Sequence, residues 1–345
     1  MIFGIKFNNN MMKNMKHIHF LLLTLLLIFS ACENSDDEFT LDESALIALL
    51  DADDAAGLDG FDDEGLADLD FEFGLETEGV ARFFGDTLSY GEGYRIRFGR
   101  LFTDRDRTVE FTVDGDTAIG FVTHTITGVL MVQAIDTSNH EAIDSMGFSK
   151  DFTTVLTRQV RYVQEDDVTN PNGYRWKIDA LTPLIGGAGE KVSITNVDIS
   201  TLSVYGVGNI LHSFNAEEVG TLFIDRESLP TFNAFELVLI QMSVENDGPE
   251  YTMDSTGVGE WCTIHYARNR QQRGRRFIND TGRFFDTVMN DNIHSGAWLI
   301  HGPGLGQNSR VFRSFYDVID LATIFTEDGG YNTAVWSIPY RVERP

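Results

Sequence analysis

The sequence predicts a mainly β protein that begins with an acidic segment and one short helix. From Gly79 onward, short runs of β-branched and aromatic residues alternate with glycine, asparagine and aspartate, and helical periodicity is nearly absent. Residues 235–244 are apolar on almost both faces, which is typical of a central strand in a β-sandwich. These observations predict an antiparallel-sheet domain over residues 79–185 and a second β domain over residues 190–345.

The first element is a short basic stretch, an apolar run and a small-residue site that ends in Cys32. The apolar run is about a dozen residues long, whereas roughly 20 are needed to span a bilayer. The stretch resembles a bacterial lipoprotein signal peptide over residues 1–31, although Phe29 stands where leucine is commonest. The resemblance implies that Cys32 is lipidated and holds the mature chain on a membrane. An ordinary secretory signal or an uncleaved anchor is the alternative.

Residues 32–78 form an acidic segment in which residues 33–78 contain 18 Asp and Glu and no Lys or Arg. Such a density of like charge favours an extended, solvated tether. Within it, Leu46, Leu49 and Leu50 have helical spacing, so one short helix is expected between residues 41 and 56.

The acidic run at residues 33–38 resembles the sorting signal of lipoproteins that are exported to the outer face of the outer membrane. We therefore expect an outer-membrane lipoprotein at the cell surface, with a periplasm-facing anchor as the alternative. The formal net charge of −27 makes nucleic acid an unlikely partner because most of the surface would repel a polyanion.

The central domain begins with a hairpin, because residues 107–113 alternate and Asp114-Gly115 provides the turn. Strands are expected over residues 118–132, 152–163 and 174–179, which together make a curved antiparallel sheet. The order of helix, long strands and a final strand with Trp176 is similar to nuclear-transport-factor-2-like or cystatin-like folds, with a plain barrel or sandwich as the alternative. The glycine-rich residues 183–189 are the predicted domain boundary.

The C-terminal domain contains the most recognisable stretch of the mature chain, residues 276–298. It resembles the D-D-G…G-D…G-D-G-I-Y-T segment of bacterial immunoglobulin-like modules in secreted proteins. The three elements of that segment correspond to residues 279–282, Asp286 and residues 290–295. The resemblance implies an immunoglobulin-like β-sandwich that serves in binding, spacing or display.

Two groups of side chains in this region are candidate binding sites. Five oxygen-bearing side chains within thirteen positions are a possible calcium site, although residues of this type also dominate turns, and the turn interpretation is favoured. They are Asp280, Asp286, Asn290, Asp291 and Asn292. Six arginines within sixteen residues of an otherwise acidic chain are a possible site for an anionic glycan, with internal ion pairing as the alternative. They are Arg268, Arg270, Arg273, Arg275, Arg276 and Arg283.

Catalytic motifs are scarce in this chain. It contains no H-E-x-x-H, G-x-S-x-G or Walker motif, and its histidines are scattered singly. Cys262 stands alone once Cys32 is lipidated, so an internal disulfide is excluded. The sequence therefore predicts a lipid-anchored envelope protein that acts as a binding or structural module and not as an enzyme. It predicts no cofactor beyond the possible calcium, and the partner would be an envelope protein or an anionic glycan. A surface hydrolase that acts on polysaccharide is the alternative.

Overall fold

A computed structural model describes most of the chain after residue 41. The described residues are 42–58, 61, 87–89, 93–139, 141–203, 206–253, 256–267, 273–283 and 285–345. Cys32, the signal peptide and the acidic run at residues 33–38 lie outside them. Residues Glu43–Pro345 cluster as one compact unit. Among the described residues, no helix has the length and apolar character needed to cross a membrane.

The chain is mainly β, as the sequence predicts. In chain order the elements are α1 (Glu43–Asp51), β1 (Thr87–Ser89), β2 (Tyr94–Asp114), β3 (Thr117–Asp136), β4 (Ala142–Asp166), β5 (Tyr174–Leu181), β6 (Leu184–Ala188), β7 (Val192–Ser203), β8 (Gly206–Asn215), β9 (Ile224–Asp225), β10 (Thr231–Asn233), β11 (Leu237–Asn246), β12 (Glu260–Ala267), β13 (Arg273–Ile278), β14 (Ile293–Leu299), β15 (Ser309–Asp320), α2 (Leu321–Phe325) and β16 (Thr333–Glu343).

Three long strands, β2, β3 and β4, form an antiparallel meander within the large sheet. The predicted hairpin is confirmed: Asp114 pairs with Thr117, and Gly115 has the positive φ of 61° that a tight turn requires. On β3, side chains alternate between buried and half-buried, which places one face against the core. In the described part, the sheet order is β1-β2-β3-β4-β6-β16-β15-β12-β13, and β5 pairs with β4 outside this path.

The glycine-rich stretch predicted as a domain boundary forms β6, which pairs with β4 on one side and with β16 on the other. A Cβ atom at Gly186 would lie 2.0 Å from the carbonyl oxygen of Val155, and one at Gly187 would lie 2.0 Å from that of Thr333. Glycine is therefore required here by close approach of the backbones. Backbone pairing continues through this stretch, and the division into two domains at this point stays a prediction.

The second sheet has the order β14-β11-β7-β8 and is also antiparallel. Its inner face packs on one face of β12, β15 and β16, in a core that includes Ile240, Trp298 and Tyr316. The opposite face of the large sheet encloses a second core, to which β2, β3 and β4 contribute. Strands β12, β15 and β16 therefore lie between two hydrophobic cores, which explains why β15 and β16 are buried along most of their length.

The predicted short helix is present as α1, but the segment around it is packed. Leu46, Leu50 and Phe61 are buried, and the Phe61 ring stacks on Phe315 with 5.3 Å between centroids. An ion pair between Asp51 and Arg107, with 2.7 Å between oxygen and nitrogen, also holds the segment. The expectation of an extended, solvated tether is therefore wrong for residues 43–58, because their apolar side chains outweigh the charge repulsion.

Candidate functional site

The candidate site lies at the end of the large sheet, where β13 is the last strand. On one side β13 pairs with β12, from Cys262 opposite Ile278 to Ala267 opposite Arg273. On its other side, no strand in the described ranges pairs with Arg273–Ile278, and the next residue, Asn279, forms an isolated antiparallel bridge with Ser295 of β14. Such an edge can hydrogen-bond an extended ligand.

A groove of about 560 Å³ follows this edge. Its walls are provided by β13, the loop after it, β14 and one residue of the loop before β12. The described residues that line it are Thr256, Arg276, Phe277, Asn279, Thr281, Arg283, Phe285, Met289, Gly296 and Ala297. At Gly296 the strands β13 and β14 approach closely, because a Cβ atom there would lie 2.5 Å from Cγ2 of Ile278. The groove is therefore formed where the edges of the two sheets meet.

Three apolar side chains line the groove and are more than one-third exposed: Phe277 at 38%, Phe285 at 37% and Met289 at 51%. The Phe277 ring is held in place because it stacks on Trp261, with centroids 4.0 Å apart. These residues were not predicted from the sequence as binding residues. The available signal was that Phe277 directly follows Arg276 in the arginine-rich stretch.

Two of the six predicted arginines, Arg276 and Arg283, line this groove, and both are exposed. The Nε–H group of Arg276 donates to the hydroxyl of Tyr266 at 3.4 Å. Arg283 makes no ion pair with any residue that the structure describes. Its guanidinium group therefore remains accessible to a ligand.

Arg275 is not among the described residues that line the groove. It lies opposite His265 in the register of β12 and β13 and is half-buried. Burial lowers its pKa to about 10, so it stays charged at neutral pH. Arg273 belongs to β13, but Arg268 and Arg270 lie outside the described residues.

The residues predicted as a calcium site form the loop between β13 and β14. Oxygen atoms of Asp280, Asp286 and Asp291 lie within 4.8 Å of one another. Asp280 accepts the N–H of Asp291 at 3.2 Å and that of Asn292 at 2.8 Å, and Asp286 accepts the N–H of Gly282. Asn290 and Asn292 have φ values of 57° and 64°, which asparagine tolerates in turns.

This geometry fits the turn interpretation, since the buried carboxylate oxygens already accept backbone N–H groups. Burial raises the pKa of Asp280, whereas its two backbone donors act in the opposite direction. None of the three carboxylates is among the described residues that line the groove. The groove therefore offers cationic and aromatic groups rather than a pair of acids for hydrolysis.

A buried polar network joins side chains of β2, β12 and β15. Asp317 accepts from both Nη atoms of Arg100, at 2.6 and 3.1 Å, and lies 3.2 Å from Nε2 of His265. Burial alone would raise the pKa of Asp317, but the Arg100 guanidinium and His265 hold it well below its usual range. The sequence did not indicate this network, because Arg100 and Asp317 are 217 residues apart in the chain.

Two further titratable side chains, one on β12 and one on β14, are buried. Cys262 is fully buried, and burial raises the pKa of its thiol, so it behaves as a small hydrophobic residue. His294 is buried and lies 2.8 Å from Oε1 of Glu260 through its Nε2 atom. Both face away from the solvent, so neither offers an accessible nucleophile or base.

Comparisons with protein-family models, with curated proteins and with solved structures find no match to this chain.

Proposed function

We propose that this protein is a lipid-anchored envelope protein that binds an anionic glycan in the groove along β13. The observation that carries this proposal is that the groove combines two exposed arginines, Arg276 and Arg283, with the exposed rings of Phe277 and Phe285. An arginine fork matches the geometry of a carboxylate or phosphate group, and an aromatic face packs on apolar ligand surface.

The edge of β13 adds a second component to recognition. Its unpaired N–H and C=O groups could bind hydroxyl groups along the ligand, whereas the arginines would bind its acidic substituents. Since the protein carries a formal charge of −27, binding requires local cationic groups and therefore depends on these two arginines.

The finer fold assignment is part of the proposal. We propose that the sandwich made by β14-β11-β7-β8 and by β12, β15 and β16 is immunoglobulin-like, and that β2–β5 form a nuclear-transport-factor-2-like or cystatin-like sheet. The packing of two antiparallel sheets on a common core supports the first assignment. The curved meander with α1 packed near β5 supports the second.

The proposed location depends on the sequence alone. Cys32 would carry the lipid, and the acidic run at residues 33–38 would direct the protein to the cell surface.

The test is binding of the full chain in detergent to a panel of acidic and neutral surface glycans. We expect acidic glycans to bind and neutral analogues to bind weakly. Arg276→Gln and Arg283→Gln should each lower the affinity by about tenfold or more, since a charge-assisted hydrogen bond contributes about 1.5–3 kcal/mol. Raising the salt concentration should weaken binding because exposed charges are screened beyond about 8 Å at physiological ionic strength.

The matched control is Arg175→Gln, which removes an exposed arginine that pairs with Glu165 on β4, away from the groove. It should leave glycan affinity unchanged. Equal loss of affinity in the control and the groove variants would refute a specific site. Glycan turnover that disappears on changing a single carboxylate would instead support a hydrolase.

A further inference from the structure

The loop between β13 and β14 displays apolar side chains although its backbone is held in place. Thr281 and Met289 pair as an isolated antiparallel bridge, and the buried carboxylate of Asp286 accepts the N–H of Gly282. A Cβ atom at Gly282 would lie 3.1 Å from Cβ of Met289, so the two arms of the loop are in close contact. Phe285 and Met289 are nevertheless both more than one-third exposed. The exposure of these side chains is therefore built into the loop.

These side chains belong to one apolar surface. Single exposed apolar residues are ordinary in soluble proteins, whereas a group of them that shares a concave surface marks a binding site. Phe277, Phe285 and Met289 all line the groove along β13, and Gly296 and Ala297 line it as well. Half of the described residues that line the groove therefore offer no polar side-chain group to a ligand.

Two uncharged polar side chains of the groove already have partners within the protein. The hydroxyl group of Thr281 donates to Oδ1 of Asn279, and Nδ2 of Asn279 donates to the backbone carbonyl of Ser295 at 3.4 Å. A sugar presents mainly hydroxyl groups, which require free donors and acceptors. Because Asn279 and Thr281 are engaged with each other, this part of the groove suits an apolar group better than a sugar ring.

The residue type of Met289 points to the shape of that apolar group. A methionine side chain has no flat face on which a sugar ring could stack, but its flexible thioether packs well on irregular apolar groups. An alkyl chain is such a group, and each methylene that it buries stabilises the complex. The wall formed by Phe285 and Met289 is therefore suited to a hydrocarbon chain.

The charges of the groove require a second part of the ligand. Arg276 and Arg283 line the same groove, and no acidic residue is among the described residues that line it. A guanidinium group binds a carboxylate or phosphate group through charge-assisted hydrogen bonds. A purely apolar ligand would leave both charges unused, so the ligand that matches the whole groove carries an acidic group and a hydrocarbon chain.

We propose that the groove binds an acidic glycan in its lipid-linked form, with the hydrocarbon chain of the lipid along Phe285 and Met289. The acidic group of the sugar is bound by Arg276 and Arg283. This inference rests on the proposed function, because it assumes that an acidic glycan occupies the groove, and it adds that the chain attached to the glycan is recognised too. A free glycan without a chain is the alternative that the test distinguishes.

The test is calorimetric titration of the full chain in phosphatidylcholine nanodiscs with three matched probes. Octyl β-D-glucuronide carries both the acidic sugar and a chain, methyl β-D-glucuronide lacks the chain, and octyl β-D-glucoside lacks the acid. We expect octyl glucuronide to bind the unmodified protein at least about tenfold more tightly than either of the other two. About two buried methylene groups are enough for a tenfold gain. Titration of empty nanodiscs corrects for partition of the probes into lipid.

Variants then locate the chain in the groove. Met289→Gln should weaken binding of octyl glucuronide by about fivefold or more and leave that of methyl glucuronide within about twofold, because it removes apolar surface and no charge. Val288→Gln is the matched control, since Val288 is the preceding residue of the loop and is exposed, but is not among the described residues that line the groove. It should leave both affinities unchanged. Arg283→Gln should weaken the binding of both glucuronides.

The inference is overturned if octyl and methyl glucuronide bind the unmodified protein equally well, and the proposed binding of acidic glycans then still stands. It is also overturned if Met289→Gln and Val288→Gln affect octyl glucuronide binding equally. If neither glucuronide binds while free acidic glycans do, only this inference fails. If octyl glucoside binds as tightly as octyl glucuronide, the acidic group is not recognised, and the proposed function fails as well.

Discussion

The buried network around Asp317 gives a prediction whose size follows from the structure. Asp317 and Arg100 are each 1% exposed, and both Nη atoms of Arg100 donate to the carboxylate, at 2.6 and 3.1 Å. Asp317→Asn keeps the shape of the side chain but removes the carboxylate charge that both Nη atoms of Arg100 contact. Removing one partner of a buried ion pair typically costs about 3–5 kcal/mol of unfolding free energy. For a domain of this size, that corresponds to a fall in melting temperature of about 6–10 °C.

The assay is urea unfolding followed by circular dichroism, with Asp179→Asn as the matched control. Asp179 also pairs with an arginine, Arg161, at 2.5 Å, but its side chain is 34% exposed. Exposed pairs contribute about 0–1 kcal/mol, so the control should lose little stability. Adding Arg100→Met to Asp317→Asn should restore part of the loss in unfolding free energy, since it also removes the other charge of the buried pair. If Asp317→Asn loses no more unfolding free energy than Asp179→Asn does, the reasoning is refuted.

The same carboxylate determines how stability depends on pH. Its pKa is lower in the folded chain than in the unfolded chain, where it is about 3.9. The unfolded state therefore takes up a proton first as the pH falls, and stability from this group is complete above about pH 5 and is lost progressively below it. We expect the difference in unfolding free energy between the unmodified protein and Asp317→Asn to narrow below about pH 4. A difference that stays constant between about pH 3 and 7 would show that the pKa of Asp317 is the same in the folded and the unfolded chain, which would refute this reasoning.

Three further predictions concern other parts of the chain. Cys32→Ala should release the protein from the membrane fraction because the lipid would be attached to that residue, and a variant that stays in the membrane pellet would contradict the anchor. Phe61→Ala should cost about 3–5 kcal/mol in urea unfolding, because the ring is 2% exposed and stacks on Phe315; a loss under about 1 kcal/mol would show that it contributes little. Asp280→Ala should cost about 1–3 kcal/mol whether or not calcium is present, since two backbone N–H groups lose their acceptor. Calcium that raises the melting temperature of the unmodified protein, but not that of this variant, would instead support a bound cation.

Local signals predicted the local structure of this chain well. The turn at Asp114-Gly115, the helix around Leu46 and Leu50, and the alternation in β3 all depend on residues close in sequence, and all are present. The apolar stretch at residues 235–244 is likewise an inner strand, β11, which pairs with both β7 and β14. The pattern of side chains shows which faces are buried, because burial alternates with a period of two in a strand.

The candidate site could be predicted only in part. The arginines near β13 were found because their density is unusual in an acidic chain, yet the strand's alternation separates Arg275 from Arg276. The rings of Phe277 and Phe285 were not predicted as part of the site, because the sequence does not show whether a phenylalanine ring is exposed or buried. Whether a ring is exposed depends on which strand lies beside it.

The sequence by itself therefore determined the β character, the hairpin and the short helix, because propensity, turn chemistry and periodicity are properties of neighbouring residues. Only the tertiary structure decided that Gly186 and Gly187 form a strand between β4 and β16, that residues 43–58 are packed, and that Asp317 meets Arg100. These features depend on strands paired across long distances in the chain. A glycine-rich stretch has the same composition in a linker as in a closely packed strand, and only the partner backbone distinguishes the two.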